Sequence, residues 1–432
     1  MRKTGSRSPA VHFAPCSDPP LRDVLVVGAG AAGIAAARTL CEAGLSVEIL
    51  EARDRVGGRA HTIELAGEPV DVGAHWMHMA ERNPLVPLAR AHGFATRTAP
   101  DDRPVYDDGR RVEGAQRRAM AQGWPRLHRA LRRDLASGVD RALSDCLPEI
   151  GEWSDTFAFD MGLYSGAAAE SVSAFDFFRT DDGSNRFPAA GYGALIARLA
   201  EPIAVRLNCA VARLRIETDR VVAETSTGDE IARHVIVTAP VELLRRGAIA
   251  FDPPLPPDVA SAFSALMPAA YEHAILRWPD SPLHRNGADQ LTFFKSDRRD
   301  GATMLACING GDLHYVELGG PQRAVWNEGE SDWKRAYVAQ FLKRQFGPES
   351  ERAEIVHVTD WWNDPWSRGS WSVAPPGETD ARGILRRYGG DSRLRFASEA
   401  TSLTQWGTAG GAWREGARAA REIIAQVERK SR

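Results

Sequence analysis

Residues 23–33 read Asp23-Val24-Leu25-Val26-Val27-Gly28-Ala29-Gly30-Ala31-Ala32-Gly33. An apolar, β-branched run leads into Gly-x-Gly-x-x-Gly, and the small residues from Ile34 to Ala43 predict a helix. A second apolar run, Leu45 to Leu50, ends in the acidic Glu51. Strand, glycine turn, helix, strand and acidic residue in this order indicate a dinucleotide-binding β-α-β unit.

The residues of this turn have separate expected roles. Gly28 permits the tight turn, Gly30 lets the backbone approach a pyrophosphate, and Gly33 allows the helix to pack closely on the strand. Ala32, just before the predicted helix, is also expected to contact the cofactor, because the free N–H groups and the dipole of a helix N-terminus attract phosphate. Glu51 is expected to accept hydrogen bonds from a ribose hydroxyl.

The residues after Glu51 narrow the choice of nucleotide. Ala52 and Arg53 lead into Gly57-Gly58-Arg59. The second glycine pair, with Gly58, offers further N–H groups to phosphate, and Arg59 adds a fixed positive charge. A glycine pair followed directly by arginine resembles FAD-dependent amine oxidases more than nicotinamide dehydrogenases.

Composition excludes several classes of protein. At 432 residues the chain is long enough for two or three domains, and its net charge of -3 predicts no strong attraction to nucleic acid or membrane. The five cysteines lack C-x-x-C spacing, which argues against a disulfide scaffold or a zinc site and fits a reducing cytosol. No apolar run reaches the length of a membrane span. We expect a cytoplasmic monomer or homodimer without a metal site.

The order of predicted elements suggests a nucleotide domain that is interrupted by a second domain. Residues 1–20 are basic and then Ser/Pro-rich, and they are expected to form a flexible extension, although a processed leader stays open. Residues 83–199 are mainly helical in pattern. Strands are predicted at 205–224 (a pair), 234–240, 270–278, 291–294, 303–309 and 394–397, with a final helix at 412–427.

Two distant groups of motifs resemble the flavin monoamine oxidase and polyamine oxidase family, over nearly all of the chain after residue 20. The front group is the fingerprint, the second glycine pair and Gly73-Ala74-His75-Trp76-Met77-His78, which is similar to the Gly-x-x-Trp-Ile-His segment of polyamine oxidases. The back group consists of the segments Trp361–Trp371, Phe396–Thr401 and Gly407–Trp413.

The resemblance implies an α/β fold in which a Rossmann-type (glutathione-reductase-like), discontinuous FAD domain wraps around an α+β substrate domain with a mixed sheet and helices. The FAD domain is expected at 21–80, 200–255 and 376–428. The substrate domain is expected at 81–199 and 256–375.

The resemblance also assigns residues to the cofactor. It implies that the backbone of Val211 holds the adenine, that Glu399 lies near the ribityl and pyrophosphate end, and that Thr408 and Ala409 lie beside the isoalloxazine. The other expected FAD contacts are Gly73, Ala74, His75, Trp76, Thr238, Trp361 and Trp366.

Three departures from the family pattern bear on the chemistry. Ser370 stands where monoamine oxidases have the cysteine that is bonded to the flavin, so FAD should be non-covalent. The family has two aromatic walls around the amine; Trp371 supplies one, and Thr408 replaces the other. His273 falls where most members have a lysine near the flavin N5, and it could hold the same water or titrate near neutral pH as a base.

The resemblance implies an FAD-dependent amine oxidase in which His273, Trp371, Thr408 and His78 form the catalytic site. Hydride would pass from a carbon next to the amine of a polyamine, or of a secondary or primary amine, to flavin N5. Imine hydrolysis and reoxidation by O2 to H2O2, or by another acceptor, would follow. A second Gly-x-Gly-x-x-Gly for NADPH is missing from the sequence.

Other interpretations stay open at this point. An L-amino-acid oxidase or a desaturase would use the same fold, but residues 73–79 hold no arginine to clamp a carboxylate. A non-catalytic FAD-binding protein with a protein partner is the alternative from another class. His273, His75 and His78 could be packed structural histidines, and the tryptophans between 361 and 371 could be core residues.

Overall fold

The computed structural model describes residues 21–180, 183–325, 331–390 and 392–430, so the predicted extension at 1–20 lies outside it. Its strands are β1 Arg22–Val27, β2 Val47–Leu50, β3 Thr62–Leu65, β4 Glu68–Asp71, β5 Thr96–Thr98, β6 Val105–Asp107, β7 Arg110–Arg111, β8 Arg186–Pro188, β9 Val205–Arg206, β10 Val211–Ile216, β11 Val221–Thr225, β12 Gly228–Val237, β13 Ala250–Asp252, β14 Met267–Pro268, β15 Tyr271–Arg277, β16 Gln290–Phe294, β17 Thr303–Ala306, β18 Leu313–Gly319, β19 Glu354–Val358, β20 Ser372–Val373 and β21 Leu394–Phe396.

The helices of the described residues connect these strands and cover the sheets. They are α1 Ala31–Glu42, α2 Leu85–Ala91, α3 Gly114–Ala121, α4 Gly123–Ser137, α5 Ser154–Ser165, α6 Ala174–Phe178, α7 Tyr192–Ala200, α8 Val241–Arg245, α9 Pro257–Ala265, α10 Ser331–Phe346, α11 Ala381–Arg387 and α12 Ala409–Lys430. Within this part of the chain, none of them is both long and apolar enough to cross a membrane.

The first large sheet is built around β1, which runs parallel to β2 on one side and to β12 on the other. β9 and β21 extend the parallel part, and β11, β10 and β13 continue the sheet beyond β12. β1 is buried on both faces, because Val24 and Val26 pack in one apolar core while Leu25 and Val27 pack in another. This explains why its sequence is continuously apolar rather than alternating.

Helices α1 and α12 pack together over one face of this sheet, in the core that also holds α7. The contact is close because Gly416 of α12 lies directly against the Ala32 carbonyl; a Cβ at 416 would come within 1.9 Å of that oxygen. The predicted β-α-β unit is confirmed, with α1 starting three residues earlier than Ile34.

The second large sheet has the strand order β19-β15-β18-β17-β16-β6-β7 and is antiparallel except where β16 meets β6. Its strand β15 was predicted at 270–278 and is observed at Tyr271–Arg277. Ala274 and Leu276 face the core that includes α10, whereas Ile275 faces a second core that includes Val70 of β4 and Val72, which follows that strand. Position 273 therefore points to the same side as Ile275.

The predicted α/β architecture, a parallel nucleotide-type sheet joined to a second region of mixed sheet and helices, is confirmed. The stretch 83–199 is mainly helical, as its periodicity predicts, but it also contributes β5 to β8. β6 and β7 join the second sheet, so this stretch and the strands after residue 267 build one structure.

Candidate active site

A cavity of about 790 Å³ connects the two sheets. One end is formed by the turn between β1 and α1, with Gly28 and Gly30 in its wall. The other end is formed by β15 and β18, with His273 and Glu317 in its wall. An elongated ligand can therefore reach from the glycine turn to the second sheet.

Nearly all of the sequence-predicted site residues line this one cavity. These are Gly28, Gly30, Ala32, Glu51, Ala52, Arg53, Gly58, Arg59, Gly73, Ala74, His75, Trp76, His78, Val211, Thr238, His273, Trp361, Trp366, Trp371, Glu399, Thr408 and Ala409. Gly33 does not line it. A Cβ at Gly33 would lie 1.9 Å from the Gly28 carbonyl oxygen, so its role is the packing of α1 on the turn.

The glycine turn leaves room for a phosphate-bearing ligand. Gly28 has φ +103°, which favours glycine, and a Cβ at Gly30 would meet nothing within 4 Å. No side chain caps the N-terminus of α1, so the N–H groups of its first turn are left for a ligand. This end of the cavity fits a dinucleotide.

Glu51 is held in place by the turn itself. Its Oε2 accepts a hydrogen bond from the Ala29 N–H at 2.6 Å, and its Oε1 accepts one from the Arg53 N–H at 2.9 Å. A carboxylate has further acceptor sites beyond these two bonds, so Glu51 can also bind a ribose hydroxyl.

Arg53 and Arg59, which follow the Gly-x-Gly-x-x-Gly motif, connect this part of the chain to the tryptophan-rich loop at residues 361–371. Arg53 donates to both carboxylate oxygens of Asp364, at 2.8 and 2.6 Å. Arg59 donates to the Ser370 carbonyl at 2.8 Å and lies 3.3 Å from Glu399. Their guanidinium groups are thereby fixed beside the cavity before any ligand binds.

Trp371 stands in a narrow slot. Its Nε1 donates to the Ser165 carbonyl at 2.9 Å. A Cβ at Gly166 would come within 2.8 Å of the indole, and one at Gly407 within 3.2 Å. Because Gly166 has φ +74° and Gly407 has φ +71°, both positions favour glycine on conformation as well as on space.

β15 places a second aromatic ring beside Trp371, in contact with it. Tyr271 lies 5.1 Å from Trp371 between ring centroids and lines the cavity, whereas Thr408 caps α12 by accepting from the Gly411 N–H at 2.9 Å. The sequence placed the second aromatic wall of the family at Thr408 and did not lead to Tyr271. Strand alternation was the available signal, since 271 and 273 share one face.

His273 is buried, with 2 % of its surface exposed, and neither ring nitrogen has a hydrogen-bond partner within the described residues. Its ring centroid lies 4.7 Å from that of Tyr315 and 4.9 Å from that of His75. Burial, reinforced by His75 and opposed by Glu317, lowers the pKa of His273 to about 3. The ring is neutral near pH 7, which corrects the expectation that it titrates there as a base; the water-holding role is unaffected.

Strand β15 also carries a carboxylate on its other face. Glu272 accepts hydrogen bonds from the N–H groups of Trp361 and Trp362, each at 3.0 Å, and from the Thr359 hydroxyl at 2.5 Å. Its charge lies 3.6 Å from the Lys334 ammonium. Adjacent positions of one strand thus face the cavity and anchor the tryptophan-rich loop.

His78 belongs to the cavity wall near the same end. Its Nδ1 donates to the Asn185 side-chain oxygen at 3.0 Å, and its ring stacks on Trp76 with a centroid distance of 5.9 Å. Burial lowers the pKa of His78 to about 4, so this ring is also neutral near pH 7.

Three charged residues of this wall were missed by sequence reasoning. Glu317 lies opposite His273 in the β15–β18 register, Asp160 comes from α5, and Arg103 precedes β6. Neither carboxylate oxygen of the buried Asp160 has a hydrogen-bond partner among the described residues. No local motif contains these residues, because the fold brings them together from positions far apart in the chain.

The two carboxylates titrate differently. Burial raises the pKa of Asp160 well above its usual range, although Arg103 acts in the opposite direction. Burial acts in the same way on Glu317, but the proximity of His75 and His273 and the hydrogen bond from Thr303 outweigh it and hold its pKa below the ordinary value. Glu317 is therefore negatively charged near pH 7, at the end of the cavity that β15 and β18 form.

Comparison with known proteins accounts for this architecture. The family model for flavin-containing amine oxidoreductases matches residues 31–162 and 142–424. The probable polyamine oxidase 4 of Arabidopsis thaliana is 28% identical over 444 residues, which cover 91% of this chain and 85% of that protein.

Solved structures share the fold. Wild-type putrescine oxidase bound to putrescine has a TM-score of 0.79 at 21% identity, covering 94% of this chain and 100% of that chain. Cyclohexylamine oxidase from Brevibacterium oxydans IH-35A has a TM-score of 0.79 at 22% identity, covering 95% and 100%. The family match, the shared fold and a cavity that fits a dinucleotide agree on an oxidoreductase that acts on CH–NH or CH–NH2 groups with FAD as its cofactor. The chain belongs to the flavin-containing amine oxidoreductases.

Proposed function

We propose that this enzyme oxidises a small primary or secondary amine, including di- and polyamines, and passes the electrons to O2 to give H2O2. The observation that carries the proposal is the buried Glu317 carboxylate in the wall of a cavity that also contains the Trp371 and Tyr271 rings and that begins at the glycine turn. Bound FAD supplies the hydride acceptor for the carbon next to the amine.

The residues of the cavity support this reaction by binding and orienting the amine. Trp371 and Tyr271 attract a cationic or neutral amine to their faces. Glu317 draws an ammonium group into the cavity. The neutral rings of His273 and His78 add no positive charge that would repel it. Apolar surroundings lower the pKa of the amine, which favours the neutral form that reacts.

The comparisons suggest a range of substrates rather than one compound. Putrescine, after which one of the similar proteins is named, is a flexible diamine. Cyclohexylamine, after which the other is named, is a compact apolar monoamine. A cavity with both a carboxylate and aromatic rings suits either class. We therefore place di- and polyamines first, because a second ammonium group could use Glu317 while the reacting amine lies by Trp371.

An L-amino-acid oxidase is the second candidate, and Arg103 is the observation that favours it. Arg103 lines the cavity and forms no hydrogen bond or ion pair with the part of the chain that the structure describes. A guanidinium group in this state suits a substrate carboxylate, which it binds bidentately.

An anaerobic stopped-flow panel of monoamines, polyamines and L-amino acids tests both candidates. Flavin bleaching by amines, followed by H2O2 on admission of air, supports the first; bleaching by amino acids alone supports the second. Glu317→Gln should raise KM for diamines more than for monoamines. Arg103→Gln should abolish turnover of amino acids only, with the surface change Arg111→Gln as its matched control. Failure of every compound to bleach the flavin would overturn both candidates and favour a non-catalytic flavoprotein.

A further inference from the structure

His75, His273 and Glu317 form a compact, buried cluster whose polar atoms face one another. Each residue offers one nitrogen or oxygen atom, and these three atoms lie within 4.8 Å of one another. The distance between His75 Nε2 and Glu317 Oε1 is 3.7 Å, too long for a hydrogen bond. All three residues line the cavity, which gives the cluster an access route.

The facing atoms are unpartnered. His75 Nε2, Glu317 Oε1 and both ring nitrogens of His273 have no hydrogen-bond partner within the described residues. The three side chains are nine-tenths or more buried. Buried polar atoms left in this way destabilise the fold unless a ligand or a water molecule satisfies them.

The outer atoms of the cluster leave the inner ones free to bind a cation. His75 Nδ1 lies 3.2 Å from the Gly73 carbonyl oxygen, which can only accept, so Nδ1 is the donor of this contact and Nε2 is the nitrogen that can bind a cation. Glu317 Oε2 accepts from the Thr303 hydroxyl at 2.6 Å, which fixes the carboxylate and leaves Oε1 toward the cluster. Supporting bonds of this kind are typical around metal ligands.

We propose that His75, His273 and Glu317 bind a divalent transition-metal cation of the zinc class, with its fourth position open to the cavity. In a tetrahedral zinc site with bonds of about 2.0–2.2 Å, neighbouring ligand atoms are separated by roughly 3.3–3.6 Å. The 3.7 Å between His75 and Glu317 is close to that spacing. Two imidazoles and one carboxylate with an open position form a common metal-binding set.

A second cluster of possible metal ligands is less suited to binding a cation. His284, Cys307 and His314 also have ligand atoms within 4.8 Å of one another. There, however, the Cys307 N–H donates to His314 Nδ1 at 3.2 Å, so the proton of the neutral ring is on Nε2. His314 cannot bind a metal without losing that bond or that proton. The cluster therefore serves as an internal control.

The metal would oppose the amine oxidation proposed above, and this part of the inference rests on that function. Cation and substrate ammonium would both use Glu317, so they cannot occupy it together. We expect Zn²⁺ to raise the apparent KM of an amine substrate and to leave kcat unchanged once the amine is in excess.

Cobalt titration of the chelator-treated holoprotein tests the site without substrate. One Co²⁺ per chain should produce ligand-field bands at wavelengths beyond the flavin absorption, and Zn²⁺ should abolish them. Glu317→Gln and His75→Gln should each weaken Co²⁺ binding at least tenfold. The control double variant Cys307→Ser/His314→Gln should bind as the wild type does.

Three outcomes would overturn the site. These are no stoichiometric Co²⁺ binding by equilibrium dialysis, unchanged binding in both cluster variants, or loss of binding in the control variant. Retained flavin absorbance and circular dichroism show that a variant is folded, and His273→Gln replaces any variant that is not. Absence of amine oxidation would leave the cobalt bands unchanged, so failure of the proposed function is distinguishable from failure of the metal site.

Discussion

The two ends of the cavity treat their polar groups in opposite ways. At the glycine turn, Glu51, Arg53 and Arg59 are all hydrogen-bonded to protein atoms. At the second sheet, neither Asp160 nor His273 has a hydrogen-bond partner within the described residues. The polar groups of the first, rigid end are held in place before a ligand binds. The second, variable end keeps unpaired polar groups that can bind a substrate.

The difference corresponds to two tasks, binding the cofactor at one end and selecting the substrate at the other. Holding a dinucleotide requires groups that are fixed before it binds. Here Glu51 is fixed by the backbone of Ala29 and Arg53, and the Arg53 side chain is fixed by Asp364 from a distant part of the chain. Substrate choice depends on a few unpaired groups, because a buried donor or acceptor that a wrong ligand leaves unsatisfied lowers affinity strongly.

The largest expected effect on cofactor binding is at the rigid end. Glu51→Lys replaces the acceptor for the N–H groups of Ala29 and Arg53 with a cation. The expected bond from a ribose hydroxyl to Glu51 is lost as well, and because one such charge-assisted bond contributes about 1.5–3 kcal/mol, FAD affinity should fall about ten- to a hundredfold. FAD retained per folded chain after gel filtration measures it. Glu51→Gln, which keeps one acceptor oxygen, should give an intermediate loss, and full FAD occupancy in the lysine variant would contradict the assigned role.

The next effect is at the variable end. His273→Ala should slow flavin reduction, reoxidation or both by roughly a hundredfold, the lower range for a group that positions a proton-transferring water. FAD binding should stay near native, because His273 belongs to the other end. Stopped-flow measurement of each half-reaction decides the matter, with His273→Lys as the matched replacement. Native rates with a lowered melting temperature would assign His273 to packing alone.

Acid should destabilise the protein through its buried histidines. Burial lowers the pKa of His314 to about 4, whereas an unfolded histidine titrates near 6.5. The unfolded state therefore binds the proton first, and stability is lost as pH falls from 6.5 toward 4. Between pH 6.5 and 5 this histidine alone should cost about 2 kcal/mol. Urea unfolding at several pH values should show that the unfolding free energy of His314→Gln falls less steeply with decreasing pH than that of the wild type, and equal slopes in the two proteins would refute the prediction.

The smallest effect concerns the link between the two ends. The Ser370 hydroxyl donates to the Tyr271 carbonyl at 2.7 Å and accepts from the Tyr271 N–H at 3.1 Å. Ser370→Ala should cost about 1–2 kcal/mol in unfolding free energy. Acid precipitation should release all FAD from wild type and variant alike, since neither carries a cysteine there. Flavin that stays with the precipitated chain would disprove non-covalent binding.

The sequence predicted the rigid end well because its information is local. Glycine spacing and one acidic residue fall within 30 residues of the chain, and the structure brings them together as expected. His273 was identified because residues 270–278 align with the family strand that carries a lysine near the flavin N5. Tyr271 was not predicted, although strand alternation places it on the same face as His273, because the family resemblance puts the second aromatic wall at position 408.

The variable end could not be predicted because its members meet only after folding. Glu317 becomes the neighbour of His273 through the β15–β18 register, and Asp160 reaches the cavity from α5. A single sequence contains no signal for such pairs. The pKa of His273 was likewise out of reach, because its depression depends on burial that only the packed structure determines.

Glu272 couples the tryptophan-rich loop to strand β15, so the fluorescence of the loop can report changes at that strand. Its carboxylate binds the backbone of Trp361 and Trp362 from the strand position next to His273. A ligand that shifts β15 must therefore move two indoles as well. The fluorescence of Trp361 and Trp362 should therefore change when a ligand binds near His273, even if the flavin absorption spectrum does not change.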